Sequence, residues 1–308
     1  MKRIISASQL ICAIALVLAT AAIASASNSY QGSFQRDLKV SGPADLEVLT
    51  RSGDIQIHTG PAGNVSITGR IHVGDRWLGG NREGDVHQLE QNPPIRQSGN
   101  SIHIDYPNMH DISIDYEITV PADTSVRTHS GSGDQTVEGL RNNLNLESGS
   151  GDLRLRNVKG EMRARTGSGN VEAADVEGSF NAEAGSGDIR LEAKTTSDVR
   201  VRTGSGNIDV RGVQGGLHLE AGSGDITADG VPSQAWEVRT GSGNVRLRLP
   251  GEAGFNLDAS TGSGRLQVNH PVTVQGNLGS SHHAVNGPVH GGGPVLMVHT
   301  GSGDVEID

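Results

Sequence analysis

The side chains with the clearest chemical potential in this sequence follow a repeated Gly-Ser-Gly triplet. The position after the triplet is occupied, in chain order, by Asp134, Asp152, Asn170, Asp188, Asn207, Asp225, Asn244, Arg265 and Asp304. Most of these positions lie 18 or 19 residues apart, and Gly- and Asp-rich repeats of about nine residues bind Ca²⁺ between stacked turns. A hard cation, however, prefers several carboxylates per site, and this column contains three Asn residues and an Arg. We therefore predict a ladder at the turns, in which Asn amides donate to neighbouring carboxylates, with calcium binding as the alternative.

A second group of possible ligands is a set of late histidines, because imidazole is a common ligand of Zn²⁺. They are His270, His282, His283, His290 and His299. No acid or Cys lies at a familiar ligand spacing from them, and the surrounding segment is rich in Gly and Pro. We therefore predict solvent-exposed histidines in a loop, without a metal site. No glycine motif for a nucleotide lies between a strand and a helix, so no cofactor is expected.

Catalysis by Ser or by paired carboxylates is the remaining chemistry. The triplet serines lie in no Gly-x-Ser-x-Gly elbow, and a nucleophilic Ser needs an oriented base. Glu172 and Asp209 lie two repeats apart in one column, roughly 10 Å at a strand spacing of about 4.8 Å, which would suit glycoside hydrolysis. Arg190 lies between them, which is typical of a salt-bridge ladder. The sequence therefore predicts a protein that is not an enzyme, with a polysaccharide-active β-helix enzyme as the alternative.

Short β-strands are the elements that must position these side chains. Relative to the residue after the triplet, apolar residues recur one and three positions later and six and eight positions earlier. Residues two apart in a strand point to one face, so each repeat contains two half-buried strands. One repeat cannot bury its apolar face alone, and neighbours must therefore stack. The sequence predicts an all-β fold, a parallel β-solenoid of about 18–19-residue coils with two strands per coil.

One outward-facing column of alternating charges favours in-register stacking. We call it the charged column, and its members are Glu147, Arg165, Glu183, Arg202, Glu220 and Arg239. Stacking in register makes them nearest neighbours, where opposite charges attract by about 0.2–1 kcal/mol per pair and like charges repel. Trp236 falls in a core column, which leaves Trp77 as the candidate surface aromatic. The predicted partner-binding face is Trp77 with Arg165, Glu183, Arg202, Glu220 and Arg239.

The chain divides into three regions by pattern. These are a signal peptide (1–26), an N-terminal β region (27–125) with an inserted loop (74–98), and a repeat domain (126–308) whose last coils are rich in Gly and His. We expect the N-terminal region to form an irregular β layer that caps the solenoid, because an uncapped end would expose open strand edges. The 39-residue interval between Arg265 and Asp304 predicts one degenerate repeat between them.

Export is predicted from the first 26 residues. Lys2 and Arg3 precede an apolar run from Leu10 to Ile23, and Ala24-Ser25-Ala26 supplies the small residues of a cleavage site. An uncleaved membrane anchor is the alternative. No later segment is apolar enough to span a bilayer, so we predict an extracytoplasmic mature chain that is periplasmic or secreted.

Composition narrows the class of partner. The chain has 308 residues, of which 44 are Gly and only 3% are aromatic, and its formal charge is −10. That charge argues against nucleic acid, because no basic footprint is available to displace counterions from phosphates. An extended repeat surface suits polymers and proteins better than small molecules. The predicted partner is therefore a polymer or protein of the cell surface or envelope.

The repeats also resemble a known family. The Thr/Ala-Gly-Ser-Gly-Asp/Asn strings, the segment from Ile114 to Pro121, and the final Gly291 to Pro294 with Thr300 to Asp304 are similar to a bacterial β-strand-repeat family of unknown function labelled "putative adhesin". The resemblance covers nearly all of the chain after the predicted signal peptide. It implies an exported β-repeat protein with no established reaction and no catalytic residues. We therefore predict a non-catalytic adhesin or envelope-binding scaffold.

Overall fold

The computed structural model describes residues 30–74, 82–107, 109, 111–273 and 283–308. Over these ranges the all-β prediction is confirmed, with one helix, α1 (Arg82–Gln91). The strands are β1 (Tyr30–Lys39), β2 (Asp45–Ser52), β3 (Ile55–Thr59), β4 (Asn64–Val73), β5 (Ile95–Ser98), β6 (Ser101–Ile104), β7 (Ile112–Val120), β8 (Ser125–Ser132), β9 (Gln135–Glu138), β10 (Leu144–Ser150), β11 (Leu153–Ser168), β12 (Val171–Ser186), β13 (Ile189–Ser205), β14 (Ile208–Ser223), β15 (Ile226–Ser242), β16 (Val245–Arg248), β17 (Phe255–Ser263), β18 (Leu266–Val268), β19 (Ala284–Val289), β20 (Val295–Ser302) and β21 (Val305–Ile307). The predicted signal peptide and Trp77 lie outside the described residues.

The strands of the repeats pair in two stacks. In stack A the segment before each Gly-Ser-Gly triplet pairs in parallel with its equivalent, as Leu144 does with Met162 and Met162 with Phe180. In stack B the segment after the triplet does the same, as Leu153 does with Val171. Strands β11 to β15 are long because each runs from stack B into stack A of the next repeat. We call one segment of each stack, joined by its triplet, a rung.

Alternating apolar residues from both stacks form one continuous buried cluster. Trp236 and Phe180 are among the largest fully buried side chains, and both occupy the position eight before the Asp or Asn, where the sequence predicts core. The Trp236 indole N–H donates to the Gly215 carbonyl at 2.9 Å, which satisfies the polar atom of this side chain. Complete burial of a large apolar side chain contributes about 1.5–3 kcal/mol, so many Leu, Ile and Val residues offset the shortage of aromatics.

The order of rungs in space differs from their order in the chain at both ends. The rung of β2 and β3 pairs on one side with β6 and β7 and on the other with β8 and β9. The rung of β20 and β21 lies between the rung of β15 and β16 and the rung of β17 and β18. Between Arg265 and Asp304 the chain forms the antiparallel strand β19 on β17. The prediction of a degenerate parallel repeat in this interval is therefore wrong.

Antiparallel strands cover the ends of the stacks. At the N-terminal end β7 pairs with β4 and β4 with β1, while β5 pairs with β6. Helix α1, which packs on β1 and buries Val86 and Leu89, lies in the segment predicted to be an inserted loop. At the other end β19 covers β17. Such strands and the helix reduce the number of open edges available for pairing with another chain.

Candidate functional site

Each triplet turn needs glycine at two positions, for different reasons. In most of the triplets the second glycine has positive φ, for example 154° at Gly206, which a residue with a side chain rarely adopts. The first glycine lies against the preceding rung, and a Cβ on Gly204 would be 2.5 Å from the carbonyl oxygen of Gly185. The first glycines therefore stack at a separation that excludes any side chain. They form a flat strip along the outer surface of stack A.

The Asp and Asn residues after the triplets form a ladder along the turns. Each accepts, through Oδ1, a hydrogen bond from the backbone N–H of its equivalent on the next rung, at 2.7–3.0 Å. In spatial order this Oδ1 ladder comprises Asp115, Asp54, Asp134, Asp152, Asn170, Asp188, Asn207, Asp225, Asn244, Asp304 and Arg265. The predicted donor, the side-chain amide of Asn, contributes at one position, where Nδ2 of Asn170 donates to Oδ1 of Asp152 at 3.4 Å, whereas the donor at every step of the ladder is the main chain. Asp and Asn are interchangeable here since both offer Oδ1.

Two carboxylates of the ladder are also held by one arginine. Asp134 uses Oδ2 to accept from Nη1 of Arg154 at 2.7 Å, and the same guanidinium donates to Oδ2 of Asp152 at 2.6 Å. Burial alone would raise the pKa of Asp134. The hydrogen bonds from Arg154 and from the backbone N–H of Asp152, with the positive charge of Arg154, outweigh it and hold the pKa below its ordinary value.

The charged column occupies one outward-facing row of stack A. Its six members are successive register partners from Glu147 to Arg239. Nε of Arg165 lies 3.3 Å from Oε2 of Glu183, and Nε of Arg202 lies 3.2 Å from Oε2 of Glu220. All four side chains are about half exposed, so these ion pairs remain open to solvent.

A groove of about 790 Å³ runs beside this column. Arg165, Glu183, Arg202 and Glu220 line it, together with His129, Glu147 and the strip of first glycines. Arg239 lies outside the groove, where it forms an ion pair with Glu237 at 2.6 Å. The structure therefore brings together four of the six residues of the predicted face, and Trp77 lies outside the described residues.

The sequence analysis missed two parts of the groove. His129 occupies the same column as Glu147 one repeat earlier, and its Nδ1 lies 3.4 Å from Oε2 of that carboxylate. The spacing of five residues before Asp134 is the signal that could have found it. The glycine strip was predicted only as a set of turns, because a close approach between rungs has no sequence signature apart from Gly itself.

The carboxylates considered for hydrolysis are separated by a cation. Glu172 and Asp209 are both register partners of Arg190, which lies between them, with Nη1 of Arg190 3.8 Å from Oε1 of Glu172. Asp209 accepts from Arg211 at 2.7 Å. Both acids are therefore placed in ion pairs along stack B and do not converge on a shared cleft.

The late histidines are dispersed where the structure describes them. His270 is buried beside Phe255, with ring centroids 5.5 Å apart, so the prediction that it is solvent-exposed is wrong. Its ring also lies 6.3 Å from that of His290, while His299 contacts the Ser260 hydroxyl at 3.0 Å. Among described residues no three His, Cys, Asp or Glu side chains are grouped as metal ligands. His282 lies outside that part of the chain.

The chain matches a protein-family model over most of its length. The model of the Toastrack DUF4097 family matches residues 33–197 and 115–308. The chain belongs to the Toastrack DUF4097 family. The two matches overlap, as expected when one repeated pattern fits the same family model in two registers. The predicted membership of a family of unknown function is thereby confirmed. A comparison with curated proteins finds no match.

Three solved structures resemble this Toastrack DUF4097 protein. They are a putative adhesin from Bacteroides fragilis NCTC 9343 (14% identity, TM-score 0.41, 90% of this chain and 98% of that one), a putative cell adhesion protein from Clostridium sporogenes ATCC 15579 (12%, 0.26, 89% and 98%), and a putative lipid binding protein from Parabacteroides distasonis ATCC 8503 (13%, 0.49, 89% and 96%). None reaches a TM-score of 0.5, so nothing about partners follows from them. Within the described ranges, no helix has the length and apolar character needed to cross a bilayer.

Proposed function

We propose that this protein is an exported, non-catalytic β-repeat protein that binds or scaffolds a polymer or protein of the cell envelope. Its contact surface would be the charged column with the adjacent glycine strip. The observation that carries the proposal is the groove, which crosses six rungs and exposes opposite charges in strict alternation. A surface of this shape suits an extended partner, because the glycine strip repeats at every rung, about 4.8 Å further along, and each sign of charge repeats at every second rung.

The energetics of the surface also favour an extended partner. An exposed ion pair contributes about 0–1 kcal/mol, so a small ligand that meets one rung would bind weakly. A polymer or protein edge that meets several rungs adds these contacts within one binding event. The flat glycine strip lets such a partner approach the backbone closely.

We propose further that the repeat region is a parallel β-solenoid of about 18–19-residue coils, capped by the irregular N-terminal β layer. The parallel pairings of the two stacks and the antiparallel strands at their ends support it. The proposed boundaries remain 1–26 for the signal peptide, 27–125 for the N-terminal region and 126–308 for the repeats. A periplasmic or secreted location follows from the proposed export.

Co-sedimentation of the purified protein with whole cells and isolated envelope polysaccharides tests the proposal. The supernatants are chromatographed for released oligosaccharides in the same experiment. Retention of the protein without released sugar is the expected result. Released sugar would overturn the non-catalytic proposal and direct attention to the carboxylates of stack B. Absence of retention on both whole cells and isolated envelope polysaccharides would overturn the proposal that the protein binds there.

A further inference from the structure

We propose that the charged column binds a second copy of this chain, antiparallel to the first, in a two-fold symmetric contact. This inference rests on the proposed function, because it takes the same face as the contact surface: a second copy competes there with the envelope polymer or protein that the monomer binds. The argument depends on the order of charges in the column. Its six members alternate in sign from Glu147 to Arg239, and each is the register partner of the next.

When a column of alternating charges has an even number of members, two copies of it that run in opposite directions place opposite charges against each other at every position. A two-fold axis perpendicular to the stack reverses the order of rungs in the second copy. Glu147 of one copy then faces Arg239 of the other, and Arg165 faces Glu220. At the centre Glu183 faces Arg202. All six rungs meet an opposite charge, and the contact is isologous, as a closed dimer requires.

Only one alignment of the two copies places an opposite charge against all six members of the charged column. A shift by one rung brings like charges together at every position, and close like charges across an interface cost several kcal/mol. A shift by two rungs leaves four opposite-charge pairs. The rung spacing is the same in both copies, so the match holds along the whole column. Charge order therefore specifies both the partner and its alignment.

The residues that flank the column are compatible with this alignment. His129 precedes Glu147 in the same row, and His299 follows Arg239. The same two-fold axis makes these two histidines face each other. Beyond them, Leu49 faces Ser260. No carboxylate or guanidinium of this row is thus left opposite a like charge.

The side chains retain hydrogen-bonding capacity for a second partner. Glu183 is close to Arg165 through Oε2, which leaves Oε1 available. Arg202 is close to Glu220 through Nε, and a guanidinium carries five N–H donors. The groove and the glycine strip beside the column offer room for the side chains of the second copy.

Two single variants test the proposal by sedimentation velocity in low-salt buffer. Glu183→Arg and Arg202→Glu each place like charges opposite each other at the two central rungs of a symmetric dimer. We expect each variant alone to dimerise at least about tenfold more weakly than the wild type. Mixed in equal amounts, however, they have opposite charges at all six rungs. We therefore expect the mixture to form a heterodimer as strong as the wild-type dimer.

The double variant Glu183→Arg/Arg202→Glu separates dimerisation from folding. It restores the contacts between copies, but within each copy it places the introduced guanidinium beside Arg165 and the introduced carboxylate beside Glu220. Recovery of the dimer with a lowered melting temperature is the expected result. A monomeric wild type, or single variants whose mixture gains no association, would overturn the proposal. If the wild type were a monomer that is still retained on envelope fractions, the dimer proposal would fail and the proposed function would stand. If the wild type were a dimer that is not retained, the dimer proposal would stand and the proposed function would fail.

Discussion

The backbone N–H of Arg265 donates to Oδ1 of Asp304 at 2.7 Å, although Asp304 lies 39 residues later in the chain. Asp304 in turn donates its N–H to Oδ1 of Asn244. The Oδ1 ladder therefore runs from Asn244 to Asp304 to Arg265. Arg lacks an acceptor oxygen in its side chain, and it occupies the last position of the ladder among the described residues, where no further described rung requires one. The ladder positions that must supply Oδ1 are therefore set by the order of the rungs in space and not by their order in the chain.

Charges in stack B agree with the same order. Arg246 is the register partner of Glu306, and the two form an ion pair at 2.6 Å. Glu306 is also the register partner of Gln267, so a neutral residue follows it on the last rung. The position of β20 and β21 between two rungs that precede them in the chain therefore places Glu306 beside Arg246. The same position continues the Oδ1 ladder through Asp304.

Removal of one ladder oxygen should destabilise the protein. Oδ1 of Asp188 accepts from the backbone N–H of Asn207 at 2.8 Å. We expect Asp188→Ala to lower the free energy of unfolding by about 0.5–1.5 kcal/mol, the net contribution of one hydrogen bond. Urea denaturation measures the change.

Asp188→Asn is the matched control for this prediction. It removes the charge but keeps Oδ1, and we expect its free energy of unfolding to lie within about 0.5 kcal/mol of the wild type. If Asn destabilised the protein as much as Ala, charge and not the acceptor oxygen would be the important property of the ladder.

A methyl group on the glycine strip should not be tolerated. A Cβ at position 204 would lie 2.5 Å from the carbonyl oxygen of Gly185, so Gly204→Ala must push two rungs apart. We expect a loss of about 1–3 kcal/mol, as for overpacking elsewhere. Ser205→Ala changes an exposed side chain in the same turn and should be neutral within about 0.5 kcal/mol. Equal stability of the two variants would contradict the close stacking of glycines.

The stability contributed by Arg154 should depend on pH. The folded-state pKa of Asp134 is lowered, so its ionic contact stabilises the protein fully above the ordinary Asp pKa of about 3.9 and is lost as the pH falls through the folded value. We expect the difference in free energy of unfolding between the wild type and Arg154→Gln to be largest at neutral pH. It should shrink progressively in acid. Denaturant unfolding at a series of pH values measures it.

Arg265→Gln provides the control for this pH dependence. Arg265 joins the ladder through its backbone N–H, which this substitution keeps. We expect the difference between Arg265→Gln and the wild type to vary much less between neutral and acidic pH. A pH profile like that of Arg154→Gln would show that loss of any cation, and not the contact with Asp134, produces the effect.

Local periodicity predicted much of the fold and part of the candidate site. Apolar residues two apart identified the strands and the burial of Trp236, and alternating signs identified the charged column. The order of rungs could not be predicted in this way, because pairing between Asn244 and Asp304 depends on contacts across 60 residues. Helix α1 was missed because it is polar apart from Val86 and Leu89, the two residues it buries. The ladder donor was missed because a main-chain N–H has no sequence signal.

The most direct test of the account compares two double variants for retention on envelope fractions. Arg165→Gln/Arg202→Gln removes two cations from the charged column, and Arg190→Gln/Arg246→Gln removes two from stack B. Each of the four arginines lies within 4 Å of a Glu carboxylate, so the variants are matched in charge and in pairs with Glu, and the second variant also loses the contact of Arg190 with Asp188 at 3.9 Å. We expect the first variant to lose retention and the second to keep it. Retention of the first at the wild-type level, or equal loss from both, would contradict the assignment of the charged column as the binding surface.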